Sequence, residues 1–439
     1  MPLGQADAVS GRPSLQVGHY TRLHPLSSRG LLAFLRRGVL IGQRFGWTIQ
    51  PMLAKIEYYK QLLHYYGVPG TLTIVANVAR DHPRILDHLP AEHVELGVHG
   101  LRHVNAQQQA AACQVASVHT AVALFTTLGL SPHGWRSPYL LAGSGTVAAI
   151  IDRAFLWDAS TTIVYPVVAP RLPRAKRLAW ARAMAFYKPL PYEQHLSLPT
   201  LRQATVFFPT ALPDDELLID RLNLSATQCA AIWLDMLRRT HASGELLVLQ
   251  LHPERIYHFQ AALQHVLRTA KTLPVWIASL EQLARWWQAR ARTTLTVEAT
   301  DDGYRVTAAS QADVALQLLS PEAPAPVPLD GRRTITLAPG RWPGIGVCGR
   351  TAPQIVERLR ADGFPAEVRV EGRDYAALFP PPGVEQLAQF ERDLLRGRHL
   401  RSPMVKLSYW PGGYQSALAI TGDLCSLNRL DFLKRYGRS

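Results

Sequence analysis

Short apolar segments alternate with longer amphipathic segments from residue 49 to residue 290. The short segments are rich in Val, Leu, Ile and aromatic residues, which favours β-strands. They are 71–77, 94–98, 133–136, 155–159, 204–208, 245–251 and 274–278. Between them, apolar residues recur at helical spacing, as in the run from Met52 to Tyr66. Ser225 precedes one such run, and Ser279 with Gln282 matches a capping box. Strands that alternate with helices predict an α/β fold.

Seven strands of this kind favour an irregular (β/α) barrel, although the pattern separates a barrel from a three-layer sheet only weakly. No glycine-rich phosphate loop follows the first strand, which argues against a dinucleotide-binding fold. Residues 161–200 interrupt the alternation and are rich in Pro, Arg and aromatic residues. We interpret them as an insertion over one mouth of the barrel. Its aromatic side chains either stack on a sugar or only pack the insertion against the barrel.

The period of the pattern changes at residue 293. Alternation at period two on both sides of Asp301-Asp302-Gly303 predicts an antiparallel hairpin. Two further strands are predicted at 313–320 and 333–338, then helices at 353–362 and 384–396 and a last strand at 416–422. The predicted organisation is a flexible N-terminal arm (1–30), a barrel (31–292), a small antiparallel β module (293–350), a helical connector (351–404) and a C-terminal segment that completes the barrel (405–439).

The composition is that of a water-soluble globular protein, with 47% hydrophobic and 18% charged residues among 439. The net charge of +14 suggests affinity for polyanions. Arg is scattered without a dense basic run, however, so we expect no nucleic-acid partner. The four cysteines are dispersed, which indicates no disulfide framework. Neither a signal peptide nor a stretch of ~20 apolar residues is visible. We therefore expect a cytoplasmic protein with no membrane partner and a small substrate.

The most informative polar residues are His99 and His103, which follow a Val- and Leu-rich strand. If a helix begins there, the two imidazoles lie one turn apart on the same side and can hold one metal ion. Such a pair is common by chance. It gains weight from three later segments: Trp135-Arg136-Ser137-Pro138-Tyr139, Phe155-Leu156-Trp157-Asp158 and Leu249-Gln250-Leu251-His252-Pro253.

In this order and at this spacing, the chain resembles the polysaccharide deacetylases, the carbohydrate esterases with a chitooligosaccharide deacetylase homology domain. The resemblance covers roughly residues 35–290. It rests on the His-x-x-x-His pair, the Arg-x-Pro-Tyr segment and the late Leu-His strand end. One departure is Gly100, where the family usually has Ser or Thr after the first histidine.

A second departure is the absence of the family's acidic first motif ahead of the helix at 52–66, since 38–46 contains no carboxylate. The sequence Thr421-Gly422-Asp423-Leu424-Cys425 near the other end resembles the Thr-x-Asp-x-Asp variant of that motif, with Cys425 in place of the second Asp. The resemblance therefore implies a circularly permuted barrel. We expect the strand 416–422 to lie between the segment 38–46 and the strand 274–278, with Asp423 facing the two histidines.

The resemblance also implies roles for individual residues. His99 and His103 would ligate a divalent metal, most simply zinc, with Cys425 at the position of the third ligand. Asp423 would be the general base, or a further ligand that leaves the base role unfilled. Arg136 would keep Asp423 ionised, and the backbone N–H of Tyr139 would bind the oxyanion. His252 would protonate the leaving nitrogen, with Asp158 orienting its imidazole.

Four of these residues also have a purely structural explanation. His252 with Pro253 could simply end a strand, and Asp158 could cap a turn. Arg136 could serve a structural ion pair, and Cys425 could be a small buried apolar residue. The function implied by the resemblance is a metal-dependent hydrolase that removes an N-acetyl or related acyl group from a carbohydrate-type substrate. The alternative is a catalytically decayed protein of the same fold that binds a glycan or a protein partner.

Overall fold

The computed structural model describes residues 42, 44–89, 93–168, 172–310, 312–329, 331–350, 352–380 and 386–435. The predicted N-terminal arm lies outside the described residues. The strands are β1 (Gly70–Ile74), β2 (Val94–Val98), β3 (Gly134–Trp135), β4 (Trp157–Val164), β5 (Leu190–Pro191), β6 (Thr200–Arg202), β7 (Thr205–Leu212), β8 (Leu246–Leu251), β9 (Val275–Ile277), β10 (Thr294–Thr300), β11 (Gly303–Ala309), β12 (Leu316–Leu319), β13 (Val327–Leu329), β14 (Thr334–Leu337), β15 (Trp342–Val347), β16 (Ala366–Val368), β17 (Tyr375–Phe379), β18 (Met404–Leu407) and β19 (Ser416–Leu424).

The α-helices are α1 (Gln50–Tyr65), α2 (Ala76–Asp81), α3 (Ala111–Thr127), α4 (Ser144–Asp152), α5 (Arg174–Tyr187), α6 (Ala226–Ala242), α7 (Ile256–Lys271), α8 (Leu280–Ala291), α9 (Ala352–Ala361), α10 (Leu387–Leu395) and α11 (Arg429–Lys434). Short 3-10 helices span Pro83–His88, Ala106–Gln108, Pro138–Leu140 and Pro253–Arg255, and a π-helix spans Glu216–Arg221. The capping boxes predicted at Ser225 and Ser279 are both formed, with Gln228 and Gln282 as the reciprocal partners.

Seven parallel strands close into a barrel in the order β1, β2, β3, β4, β7, β8, β19 and back to β1. The predicted (β/α) barrel is therefore confirmed. The strands overlap the predicted segments, but β4 and β7 run to Val164 and Leu212, beyond the predicted 155–159 and 204–208, and β1 is shorter than predicted. The first strand was expected to run to residue 77, but it ends at Ile74 and α2 begins at Ala76. Apolar character alone does not distinguish the end of a buried strand from the start of a buried helix.

The C-terminal strand β19 is part of the barrel, as the sequence predicted. It pairs in parallel with β1, where Thr73 lies opposite Asp423, and with β8, where Gln250 lies opposite Thr421. All nine of its residues are buried, as expected of a parallel strand covered on both faces. The predicted neighbours were partly wrong. Strand β9 pairs with the start of β19, but β1 and β8 flank the rest of that strand. Most of the segment 38–46 lies outside the described residues.

The remaining strands form three smaller sheets. The sheet β10-β11-β14 is antiparallel, as the period-two pattern predicted. The sheet β13-β12-β18 is also antiparallel, but only its strand β12 was predicted. The third sheet, β16-β15-β17, is parallel and was not predicted. The connector expected at 351–404 thus contains strands β16 and β17 as well as helices α9 and α10. Strand β16 has only three residues, which is too short for a periodic signal.

The segment 161–200, which interrupts the alternation in the sequence, first continues β4 to Val164 and then forms helix α5. Some of its aromatic side chains pack in the core: Tyr165, Tyr187 and Tyr192 are buried. The rings of Tyr165 and Tyr192 stack with their centroids 4.5 Å apart. Another part faces the mouth of the barrel, as described below. Within the described residues, no helix is both long enough and apolar enough to cross a membrane.

The central position of β19 gives a stability prediction. Ile420 is fully buried in the main core, whereas Leu433 on α11 is 57% exposed. Ile420→Ala should lower the free energy of unfolding by about 2–5 kcal/mol, since it removes buried methyl groups and leaves a cavity. The matched variant Leu433→Ala should stay within about 0.5 kcal/mol of the parent. Urea unfolding followed by circular dichroism measures both changes, and equal effects would contradict the central placement of β19.

Candidate active site

The polar residues of the site come from the carboxyl ends of four barrel strands. His99 follows β2, Arg136 follows β3, and His252 follows β8. Asp423 lies near the end of β19, and Cys425 comes directly after that strand. Because parallel strands end at the same mouth of a barrel, residues that are hundreds of positions apart meet there. All five are buried.

His99 and His103 approach each other across a tight turn rather than along a helix. The segment 101–104 consists of bends, so the predicted helical spacing is wrong, but the ring centroids still lie 5.3 Å apart. Gly100 makes this turn with φ of +77°, and a Cβ atom there would lie 2.9 Å from Cδ of Pro138. Both observations explain why glycine occupies the position where the family usually has Ser or Thr.

The potential metal ligands are His99, His103 and Cys425, whose ligand atoms all lie within 4.8 Å of one another. Nδ1 of His99 donates to the carbonyl oxygen of Arg136 at 3.0 Å, which leaves Nε2 able to bind a metal. Burial, together with Arg435, lowers the pKa of His103 to about 4, so this imidazole is neutral at pH 7. Two imidazoles and a thiol are a donor set that zinc favours, so these residues fit a zinc ion.

Cys425 occupies an environment that favours its thiolate. Burial opposes ionisation, but His103 and His99 together lower the pKa of the thiol well below its ordinary value. The thiol is also in hydrogen-bond contact with His103 and His252. A thiolate is the form that ligates metal, so Cys425 offers an anionic donor at this position.

Asp423 lies beside the potential ligands and is held by three side chains. Its Oδ1 accepts hydrogen bonds from Thr73 at 2.7 Å and Arg136 at 2.9 Å, and its Oδ2 accepts one from Gln250 at 2.6 Å. Burial raises the pKa of this carboxyl, but Arg136, His99 and His252 together outweigh it and the net shift is downward. Asp423 is therefore an ionised carboxylate. Its Oδ2 lies 3.9 Å from Nε2 of His99, next to the potential metal position.

His252 is oriented by Asp215, which the sequence analysis missed. Its Nδ1 donates to Oδ1 of Asp215 at 2.7 Å, and its backbone N–H donates to Oδ2 at 2.8 Å. Burial lowers the pKa of His252, but Asp215 outweighs it and raises the pKa well above the ordinary histidine value. Since Nδ1 is occupied, the contact with Cys425 uses the other ring nitrogen, which faces the site.

The prediction that Asp158 orients His252 is wrong. The Asp158 carboxylate instead accepts hydrogen bonds from the backbone N–H of Ser160 at 3.0 Å and from its hydroxyl at 2.7 Å. The same hydroxyl accepts from the backbone N–H of Ser137 at 2.8 Å. Asp158 thus fixes the segment that carries Arg136 and Tyr139. Burial raises its pKa to about 6.

Tyr139 lies at the mouth of the site in an unusual backbone conformation. Tyr139 and Leu140 both have φ of 58°, a left-handed conformation that is uncommon for residues other than glycine. This turn places the Tyr139 ring edge-on against His103, with the centroids 4.4 Å apart. The proposed oxyanion role of the Tyr139 backbone N–H stays a prediction.

Four residues of the site had not been identified from the sequence: Thr73, Asp215, Gln250 and Arg435. Gln250 lies on β8 two positions before His252, so the two side chains share one face of the extended chain. The pair Asp214-Asp215 follows β7 after Pro213, so the rule that polar residues at barrel strand ends form the site would have found it. Asp214, Asp215 and His252 also cluster like metal ligands, but the Asp215–His252 hydrogen bonds account for this proximity.

Arg435 just after α11 is the least expected neighbour of the site. Its Nη2 lies 2.9 Å from Nδ1 and 3.0 Å from Nε2 of His103. Helix α11 is held against α2 and the residue after it by ion pairs of Asp431 with His82 at 2.9 Å and of Lys434 with Asp81 at 3.6 Å. The guanidinium is therefore a fixed positive charge at the edge of the site.

No family model matches the chain, and no curated protein matches it. Several solved structures are similar to it. One described as Puue allantoinase has 20% identity over 59% of this chain and 78% of its own, with a TM-score of 0.45. A structure described as a polysaccharide deacetylase from Pseudomonas aeruginosa PAO1 has 20% identity over 58% and 77%, with a TM-score of 0.44. Another so described, from Mycobacterium smegmatis, has 17% identity over 62% and 88%, with a TM-score of 0.45.

The contact between His252 and Asp215 leads to a prediction about the pKa of His252. Asp215→Asn should lower the pKa of His252 toward its ordinary value, because the neighbouring negative charge is lost. Asp158→Asn should leave that pKa nearly unchanged, since Asp158 binds Ser160 instead. NMR titration of metal-free protein with labelled histidine measures both. A larger shift in Asp158→Asn than in Asp215→Asn would restore the original assignment.

The three potential ligands predict metal content. Purified protein incubated with zinc and desalted should retain about one equivalent, and His99→Ala, His103→Ala and Cys425→Ser should each lose most of it. His241→Ala is the matched control, because His241 is a half-buried histidine on α6 that bonds to Ser416. Elemental analysis measures retention. Full retention in all three ligand variants would refute the site.

Proposed function

We propose that this protein is a metal-dependent hydrolase that removes an N-acetyl or related acyl group from a carbohydrate-type substrate. The observation that carries the proposal is the placement of an ionised Asp423 and an Asp215-bound His252 next to the His99, His103 and Cys425 cluster. A general base, a general acid and a metal-binding set next to one another are what amide hydrolysis requires.

The electrostatics divides the acid and base roles between the two residues. Asp423 has a lowered pKa and is available to accept a proton from the attacking water. His252 has a raised pKa and is available to donate a proton to the leaving nitrogen. A base and an acid that work together at neutral pH are expected to have pKa values that their environments move apart.

In the proposed reaction, the water oxygen attacks the acyl carbon and Asp423 takes the proton of the water. The carbon–nitrogen bond then breaks while His252 gives its proton to the nitrogen, which leaves as an amine and releases the acyl group as a carboxylic acid. Arg136 keeps Asp423 ionised, and Asp215 keeps His252 in the tautomer and orientation needed. A divalent metal, when bound, supplies Lewis acidity that polarises the acyl oxygen and lowers the pKa of water.

Asp423→Asn and His252→Ala should each lower kcat on N-acetylglucosamine oligomers by about a hundredfold or more, as loss of a general base or acid does. Asp235→Asn is the control, because Asp235 pairs with Arg239 on the outer helix α6. Acetate release by zinc-loaded protein is the measurement. Parental turnover in Asp423→Asn would exclude it as the base. Zinc binding without any hydrolysis by the parent would favour a non-catalytic carbohydrate-binding protein.

The same pKa shifts predict the pH profile of kcat/KM. Activity requires ionised Asp423 and protonated His252. Because the pKa of Asp423 is lowered, the acid limb should lie below the ordinary carboxyl range, so activity persists in mild acid. Because the pKa of His252 is raised, the basic limb should lie above the ordinary histidine range. In Asp215→Asn the basic limb should move to lower pH, and an unchanged profile would contradict the acid role of His252.

A further inference from the structure

We propose that the substrate carries a negatively charged group, of the carboxylate type found on acidic sugars, and that Arg182 and Arg435 bind this group at the mouth of the site. The inference rests on the proposed function and adds the charge of the substrate to it. It is carried by the position of helix α5, by the charge of that helix and by the contact of Arg435 with His103.

Helix α5 reaches the site through a chain of aromatic rings. The Tyr139 ring contacts His103 with centroids 4.4 Å apart, and the Phe186 ring of α5 contacts Tyr139 with centroids 5.8 Å apart. Arg182 is exposed and lies four residues before Phe186, so the two side chains share one face of the helix. Arg182 therefore lies one helical turn from a ring that borders the site.

The segment that contains α5 has an extreme charge. From Pro166 to Tyr192 the sequence has no Asp or Glu. The described cations of this segment are Arg174, Lys176, Arg177, Arg182 and Lys188. The nearby carboxylates on the π-helix are already paired, Glu216 with Arg221 and Asp220 with Arg44 and Arg255. The positive charge of α5 is therefore available to a ligand.

This distribution does not serve the stability of the helix. Arg174, Lys176 and Arg177 lie in the first turn of α5, where the positive end of the helix dipole disfavours cations, and no acidic residue offsets them. These three cations lie 9 to 12 positions before Phe186, so they add to the positive field of the helix, while Arg182 is the cation of α5 next to the site.

Arg435 supplies the second positive group. A neutral imidazole has one nitrogen lone pair, so Nη2 of Arg435 and a metal ion cannot both use His103. When His103 ligates a metal, the guanidinium loses its hydrogen bond to the ring. It stays at the edge of the site because α11 is held by its contacts with Asp81 and His82. A guanidinium in this position matches the fork geometry of a carboxylate.

The test compares two probes that differ in charge, a neutral N-acetylglucosamine oligomer and a hyaluronan oligosaccharide of equal length, in which glucuronate alternates with N-acetylglucosamine. Zinc-loaded Asp423→Asn protein is used for equilibrium binding, and zinc-loaded parent protein for turnover. The charged probe should bind at least about tenfold more tightly at low salt, and this preference should shrink as salt rises toward 1 M, where screening is nearly complete. Arg182→Gln and Arg435→Gln should each reduce the preference severalfold.

Arg238→Gln is the matched control, because Arg238 is an exposed arginine on α6, and it should keep the parental preference and turnover. Arg435→Gln should hold zinc against a chelator at least as strongly as the parent. Weaker zinc binding in that variant would contradict the displacement of Arg435 by metal. Equal affinity for the two probes, or a preference that both Gln variants retain, would overturn the proposal.

The outcomes separate this inference from the proposed function. Hydrolysis of both probes with equal kcat/KM would support the proposed function and contradict the proposal that the substrate is charged. Binding that depends on charge and needs Arg182 and Arg435, without hydrolysis of either probe by the parent, would contradict the proposed hydrolase function. It would still support the binding of an acidic ligand. Tighter binding of single-stranded DNA of equal charge than of hyaluronan would overturn the assignment to a carbohydrate.

Discussion

The buried ion pair between Arg136 and Asp423 is the interaction on which the site depends. Their atoms lie 2.9 Å apart, both side chains are fully buried, and the residues are 287 positions apart in the chain. Arg136 also donates to Thr421 and to the carbonyl oxygen of Ala159. Removal of one partner from such a pair leaves an uncompensated charge in the interior, which destabilises a protein by about 3–5 kcal/mol. The pair therefore joins β19 to the segment after β3 and keeps Asp423 ionised.

Two carboxylates of the site have different partners and therefore different roles. Asp423 is bound by a guanidinium, a hydroxyl and an amide, all of which favour its ionised form. Asp215 is bound to His252 and stabilises the imidazolium. The pKa of the Asp423 carboxyl is thereby lowered and that of His252 is raised, which is what the proposed base and acid require. Asp158 belongs to neither role, since its bonds through Ser160 maintain the strained turn that carries Tyr139.

Cys425 shows how a change of donor is accommodated by its surroundings. His99 and His103 stabilise negative charge on its sulfur, so the site gains an anionic soft donor where the related motif has a carboxylate. Gly100 and Pro138 fix the turn that brings the two histidines together. The ligand cluster thus depends on backbone geometry from β2, β3 and β19 at once, and no single segment forms it.

The sequence by itself determined the alternation of strands and helices, the two helix capping boxes and the positions of His99, Arg136, His252 and Asp423 at strand ends. These follow from local periodicity and short motifs, which act over a few residues. It also indicated that β19 returns to the barrel, because an apolar strand needs partners on both sides. The tertiary structure alone decided that β1 and β8 flank β19, that Asp215 rather than Asp158 binds His252, and that Arg435 contacts His103. Each of these depends on the closure of the barrel, which brings distant segments to one mouth and leaves no trace in local spacing.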